Sequence, residues 1–292
     1  MLFKIALQKR SESNTNTQKY YINCSKISAT EPTTEKWLTI IDRLKPTNFE
    51  DKNRILLGMM EKHRHVVIKI GESETLEKEY KIGMTLSKSK IPGYIDYHCF
   101  FKCNDNYKDH PSSSRNHLCN GEGTQMSCLV MPYYRNGSIL AFDFRGKQRG
   151  LDIFKSFLKL IFKSMYQAYE SVGFIHNDAH ANNVLVVERR VSQFNGVDIY
   201  GYSIVIMDFE NSLFSSNKND RKYIYYDFSR LLSDINYSAK LNAQIGKITM
   251  LLDKYYLNNT VFTVAEPELF SAVDELTFGE DYTSRLLQYN AI

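Results

Sequence analysis

Short apolar runs fill the first half of this chain, and long amphipathic stretches fill the second. Residues 54–60 and 66–70 are compact apolar runs on either side of His63-Arg64-His65, which predicts two strands joined at a turn. Residues 94–102 and 127–134 predict a further strand pair, separated by a polar loop over 104–124. Trp37, Ile40, Ile41 and Leu44 fall at helical spacing on one face, so a helix is expected over 34–44, and another over 74–87. Nearer the start, Tyr20-Tyr21-Ile22-Asn23-Cys24 has the make-up of a strand, and polar residues 11–18 that of a loop or frayed arm.

The texture changes after Asn136-Gly137. Across 151–172, Phe154, Phe157, Leu158, Ile161, Met165 and Ala168 line one side of a long amphipathic helix. Short apolar strands are predicted at 184–187 and 204–207, and the chain from about Tyr226 onward reads mostly as helix. The expected fold class is therefore α+β, with a strand-rich front part (1–134) and a mainly helical back part (135–292). The two meet at a hinge near 131–137, an arrangement that leaves a cleft between them.

Composition changes this picture little. At 292 residues, 43% apolar and 24% charged, the chain can bury a core in one large or two small domains. No apolar run reaches the roughly 18 residues of a membrane span. The apolar start, Met1 to Leu7, lacks a basic flank and is a poor secretory signal. The 37 basic residues against 33 acidic leave a charge of +4, which gives no electrostatic reason to expect a nucleic-acid partner. Five cysteines, an odd number without framework spacing, point to a reducing, intracellular compartment.

The densest chemistry lies in Phe174-Ile175-His176-Asn177-Asp178-Ala179-His180-Ala181-Asn182-Asn183-Val184, between the long helix and a strand. An Asp and an Asn spaced like Asp178 and Asn183 can point at one spot. The carboxylate then faces an attacking hydroxyl, and the amide oxygen faces a divalent cation. Further on, Ile204-Val205-Ile206-Met207-Asp208-Phe209-Glu210 ends an apolar strand on an aspartate, a position from which a carboxylate can hold a metal.

Together these residues resemble the protein kinase-like superfamily. His176-Asn177-Asp178 with Asn183 matches the His-x-Asp-x-x-x-x-Asn catalytic loop, and Asp208-Phe209-Glu210 matches the Asp-Phe-Gly metal motif. Upstream, Val66-Val67-Ile68-Lys69-Ile70 resembles the Val-Ala-Ile-Lys strand. Glu79 sits where the helix glutamate pairs with that lysine, with Glu77 as second choice. Leu129-Val130-Met131-Pro132-Tyr133-Tyr134 resembles the strand running into the hinge. Tyr225-Tyr226-Asp227-Phe228 resembles the start of the buried helix whose Asp anchors the catalytic loop. The motifs run in order over about residues 55–235. Their order, with so short a segment before Asp227, looks like the virion-associated Ser/Thr protein kinases of large DNA viruses of poxvirus type.

The resemblance implies a two-lobed kinase-like fold with a short activation segment, and an ATP- and Mg²⁺-dependent phosphotransferase. Lys69 would contact the α- and β-phosphates, and the backbone around Met131, Pro132 and Tyr134 would meet the adenine edge. Asp178 would orient or deprotonate the acceptor hydroxyl, with His180 beside the transferring phosphoryl and Asn183 and Asp208 on Mg²⁺. The implied acceptor is a Ser or Thr of a protein substrate, in host cytoplasm or virion.

Three departures from the pattern keep other readings open. No Gly-x-Gly-x-x-Gly precedes Lys69, and Gly58 is the only glycine before it, so phosphates lack the usual backbone cover. The catalytic-loop lysine is replaced by His180, as in aminoglycoside phosphotransferases. Only residues 209–226 separate Asp208 from Asp227, with no Ala-Pro-Glu, and Glu210 stands where the metal motif has glycine. The alternatives are a small-molecule kinase, favoured by His180 and the short segment, and an inactive scaffold, favoured by the missing glycines. His176 reads as a structural residue bonded to backbone. A second cluster, His98, Cys99, Cys103, His110, His117 and Cys119, has the residue types of a zinc site but no standard finger spacing; core packing accounts for Cys99 and Cys103.

Overall fold

The computed structural model describes residues 38–44, 53–60, 64–71, 73–105, 124–239 and 244–278. The fold is mixed α and β, with five α-helices among the described residues and several antiparallel sheets. The largest sheet runs β1 (Leu38–Arg43), β2 (Asn53–Met60), β3 (Arg64–Gly71), β5 (Thr124–Pro132), β4 (Cys99–Asp105), each strand antiparallel to its neighbour.

Alternation gives this sheet two faces. Val66, Ile68 and Ile70 point one way, into a small core with Leu56, Met60, Cys99, Phe101, Met126, Cys128 and Val130. Lys69 points the other way, alongside its cross-strand partner Leu129 and near Met131, both part of the main core. Helix α1 (Ser73–Lys88) packs against β5 and β3. It buries Leu76, Glu79, Ile82 and Leu86, a stripe at helical spacing that contains one carboxylate. Gly83 lies on the same helix because the Tyr97 ring occupies the space a Cβ would need.

The main core is built on α2 (Gly150–Val172), whose Phe157, Leu158, Ile161 and Phe162 are fully buried. Gly173 ends this helix in the left-handed region at φ 72°, its N–H reaching the Tyr169 carbonyl at 2.7 Å. The chain then forms β6 (Phe174–Ile175), a loop, a 3₁₀ turn at Ala181–Asn183, and β7 (Val184–Glu188). The hairpin β8 (Gln193–Phe194) and β9 (Val197–Asp198) leads to β10 (Tyr202–Ile206), which pairs with β7, and then to β11 (Leu213–Phe214), which pairs with β6. Helices α3 (Lys222–Ala239), α4 (Gln244–Asn258) and α5 (Phe262–Asp274) close the described chain. Among the described residues no helix is long and apolar enough to cross a membrane.

Backbone bonds tie β10 to the strand-rich part, and β7 to the segment just after the hinge. Ile206 N–H donates to the Gly93 carbonyl at 2.8 Å, and Ile95 N–H donates to the Ile206 carbonyl at 3.0 Å. Ile139 N–H meets the Val184 carbonyl at 2.8 Å, and Val186 N–H meets that of Gly137 at 2.9 Å.

Two sequence expectations need correction. The described part of 34–44 is strand β1, not helix. Its register against β2 slips between Ile40 and Asp42, so the apolar positions lose strict alternation and fall by coincidence at helical spacing. The strand expected from Tyr94 begins only at Cys99, because Tyr94 and Ile95 bond to Ile206 instead of the large sheet. The expectations for 11–18 and 20–24, and for His110, His117 and Cys119, lie outside the described residues.

Candidate active site

Lys69 enters from β3, where burial on both faces of the strand leaves the residue 6% exposed. An unpaired charge there would be costly, and three carboxylates surround it. Glu79 Oε2, from α1, lies 2.9 Å from Nζ, and Asp208 Oδ1, just after β10, lies 2.7 Å away. Glu210 Oε2 is 3.6 Å away. Burial pulls the Lys69 ammonium down, but Glu79 and Asp208 outweigh it and hold it well above the ordinary lysine range. The other Glu79 oxygen accepts from the Tyr97 hydroxyl at 2.6 Å. Burial pushes that phenol up, with the Glu79 charge adding to it, so Tyr97 remains a donor. Glu77 faces outward instead, bonded to Lys102 at 2.6 Å and Lys81 at 2.7 Å.

Asp208 has φ 68°, in the left-handed region that Asp and Asn tolerate best among residues with a Cβ. Phe209 is fully buried against Tyr94, Tyr97, Phe174 and His176. That aromatic anchor fixes the backbone turn and with it the direction of the Asp208 carboxylate.

The loop after β6 carries the second group. His176 is buried, its Nε2 3.0 Å from the Met207 carbonyl, and its own carbonyl accepts from Ser212 Oγ at 2.8 Å. Asn177, also left-handed at φ 61°, turns the chain so that Asp227 of α3 accepts its N–H at 2.8 Å and that of Ala179 at 3.5 Å. Burial pushes the Asp227 carboxyl up, opposed by His176 and these two N–H groups. Asp178 faces outward, with Oδ1 2.9 Å from Arg230 and Oδ2 accepting from Asn211 Nδ2 at 3.0 Å. Asn183 is 4% exposed and gives its side-chain N–H to the Asp178 carbonyl at 3.3 Å, which leaves its amide oxygen as the group able to ligate a cation.

Besides the His176 contact to the Met207 carbonyl, a backbone bond joins the two groups: Met207 N–H, next to Asp208, donates to the Asn183 carbonyl at 2.9 Å. The structure thus links Lys69, Glu79 and Asp208 directly, pairs Asp178 with Asn183, and ties the two sets together through backbone. His180 occupies the same loop, its carbonyl accepting from Asn183 N–H at 2.9 Å, while among the described residues its ring has no hydrogen bond. Met131 is buried at the end of β5, and Tyr134 is half-buried, its phenol pushed up to about 12 by burial. The Tyr134 carbonyl accepts from Gly137 N–H at 3.1 Å, closing a turn just after β5. Among the described residues no group of three or more His, Cys, Asp or Glu is gathered as a metal site, and Cys99 lies in the small core.

Arg230, Asn211 and Tyr97 were not singled out from the sequence. Arg230 follows Asp227 by three residues and so shares its face of α3. Comparison with protein-family models and with curated proteins finds no match for the chain.

Proposed function

We propose that this chain is an ATP- and Mg²⁺-dependent phosphotransferase with a two-lobed, kinase-like fold, acting on Ser or Thr of a protein substrate. One observation carries the reading: the Lys69 ammonium lies within 2.9 Å of both Glu79 and Asp208, so that three residues from three separate segments meet. A structural ion pair needs one partner. A lysine shared between a fully buried carboxylate and one at a third exposed is a charge held ready for an anion.

In this reading the large sheet with α1 forms one lobe and the helices from α2 onward the other. Lys69, held by Glu79, meets the α- and β-phosphates. Asp208 and the Asn183 amide oxygen are hard oxygen donors, the sparse set that Mg²⁺ takes when substrate phosphates complete its shell. When bound, the cation neutralises charge on the phosphates. Asp178 receives the acceptor hydroxyl and its proton, in a geometry fixed by the Asn183 and Asn211 amides. Catalysis then rests on positioning and charge more than on covalent work by the protein.

The test is transfer of label from [γ-³²P]ATP to casein and to histone with Mg²⁺, for the wild type and Asp178→Asn. Transfer by the wild type and its loss in Asp178→Asn, with melting unchanged, is the expected result. Undiminished transfer in the variant contradicts the role given to Asp178. Transfer to small hydroxyl compounds and not to protein would move the acceptor to the small-molecule class that His180 favours.

A further inference from the structure

A phosphoryl-transfer site needs positive charge beside the acceptor, and the catalytic loop here carries none that is permanent: its position for a lysine holds His180. Helix α3 brings one from elsewhere. Asp227, Arg230 and Asp234 lie at i, i+3 and i+7 on one face of that helix, and each meets the loop in turn. Asp227 holds the N–H groups of Asn177 and Ala179, and Asp234 accepts from Ala181 N–H at 3.3 Å. Between them, Arg230 Nη1 sits 2.9 Å from the Asp178 carboxylate.

We infer that Arg230 is a further catalytic residue, one that rests on the phosphotransferase reading and supplies the charge the loop lacks. Its side chain is 45% exposed and that of Asp178 26%, so the pair contributes little to stability and is not explained by packing. A guanidinium stays charged at every physiological pH and presents five donors in a planar fork suited to phosphoryl oxygens. Asp178 engages the fork at Nη1. A carboxylate offers roughly four acceptor sites, so Arg230 and Asn211 orient it and still leave room for a hydroxyl.

In the step, the acceptor hydroxyl gives its proton to Asp178, and its oxygen bonds to the γ-phosphorus of ATP. The bridging P–O bond to the β-phosphate breaks, and its electron pair leaves on ADP. Arg230 remains protonated throughout, bonded to Asp178 before transfer and to the phosphoryl oxygens as their charge shifts.

The test uses the full chain with [γ-³²P]ATP, Mg²⁺ and casein or histone. Arg230→Gln is expected to lower kcat about 100-fold while KM for ATP changes less than about threefold. Arg230→Lys is expected to fall between Gln and wild type. Arg230→Ala should regain activity several-fold on addition of millimolar guanidinium, a rescue that a merely structural role would not give. Wild-type kcat in Arg230→Gln overturns the inference. So does a loss that follows a lowered melting temperature and responds to neither Lys nor guanidinium. A wild type that transfers no label overturns the phosphotransferase reading itself, whereas an active wild type beside an equally active Arg230→Gln overturns this inference alone.

Discussion

Lys69 concentrates the electrostatics of the molecule in one side chain. Its ammonium is held above its ordinary range because Glu79 and Asp208 outweigh the cost of burial. Lys69→Met leaves Glu79 buried beside Tyr97 without its cation, and should cost about 3–5 kcal/mol in urea unfolding. Adding Glu79→Gln should recover a large part of that loss, because no uncompensated charge is then buried. The pH dependence follows from the sign of the shift. A lysine raised in the fold contributes stability that is complete below its unfolded value and lost as pH rises through the folded one, so its signature is confined to strongly alkaline solution. Glu77 behaves oppositely. Hydrogen bonds from Lys102 and then Lys81 hold it at about 2, so its contribution is present above its ordinary 4.5 and fades as pH falls toward 2. Lys102→Ala should therefore raise the midpoint of acid unfolding. The pairing of Lys69 with Glu79 and not Glu77 was legible through the resemblance of the strand and helix motifs. Arg230 was not, because Asp178 lies 52 residues before it in another element, and a spacing of three from Asp227 does not say which loop residue it meets.

At the scale of elements, α3 acts as the support of the loop. Asp227→Ala removes the acceptor for the buried Ala179 N–H and the part-buried Asn177 N–H, and should cost about 1–3 kcal/mol for the buried donor left unpaired. Hydrogen exchange at Asn177 and Ala179 should quicken well before the rest of α3 is affected. Helix α2 stops where it does because Gly173 adopts a left-handed turn with the Ser215 carbonyl where a Cβ would stand. Gly173→Ala should therefore destabilise by more than the roughly 1 kcal/mol of a simple glycine-to-alanine strain term, as read by thermal unfolding. The long helix was legible from its apolar period, and the β2–β3 pair and the short strands β7 and β10 from their compact apolar runs. β1 was not: a register slip erases alternation, and only pairing with β2 makes that segment a strand.

In the whole molecule, residues from both halves of the chain meet where Ile206 bonds to Gly93 and Ile95 and where Asp208, just beyond it, meets Lys69. This convergence was legible only through the resemblance of the motifs, since no periodicity reports contacts between segments so distant. The central claim is that Lys69, Asp178, Asn183 and Asp208 surround one triphosphate and its cation. Its most direct test is a thermal-shift titration with ATP in the presence and absence of Mg²⁺, for the wild type and Asp208→Asn. The expected result is a Mg²⁺-dependent stabilisation of the wild type, about 2.7 kcal/mol at a hundredfold excess over Kd, and loss of the Mg²⁺ dependence in Asp208→Asn. A wild type whose melting is unmoved by millimolar ATP and Mg²⁺, or an Asp208→Asn variant that responds to both as the wild type does, would contradict it.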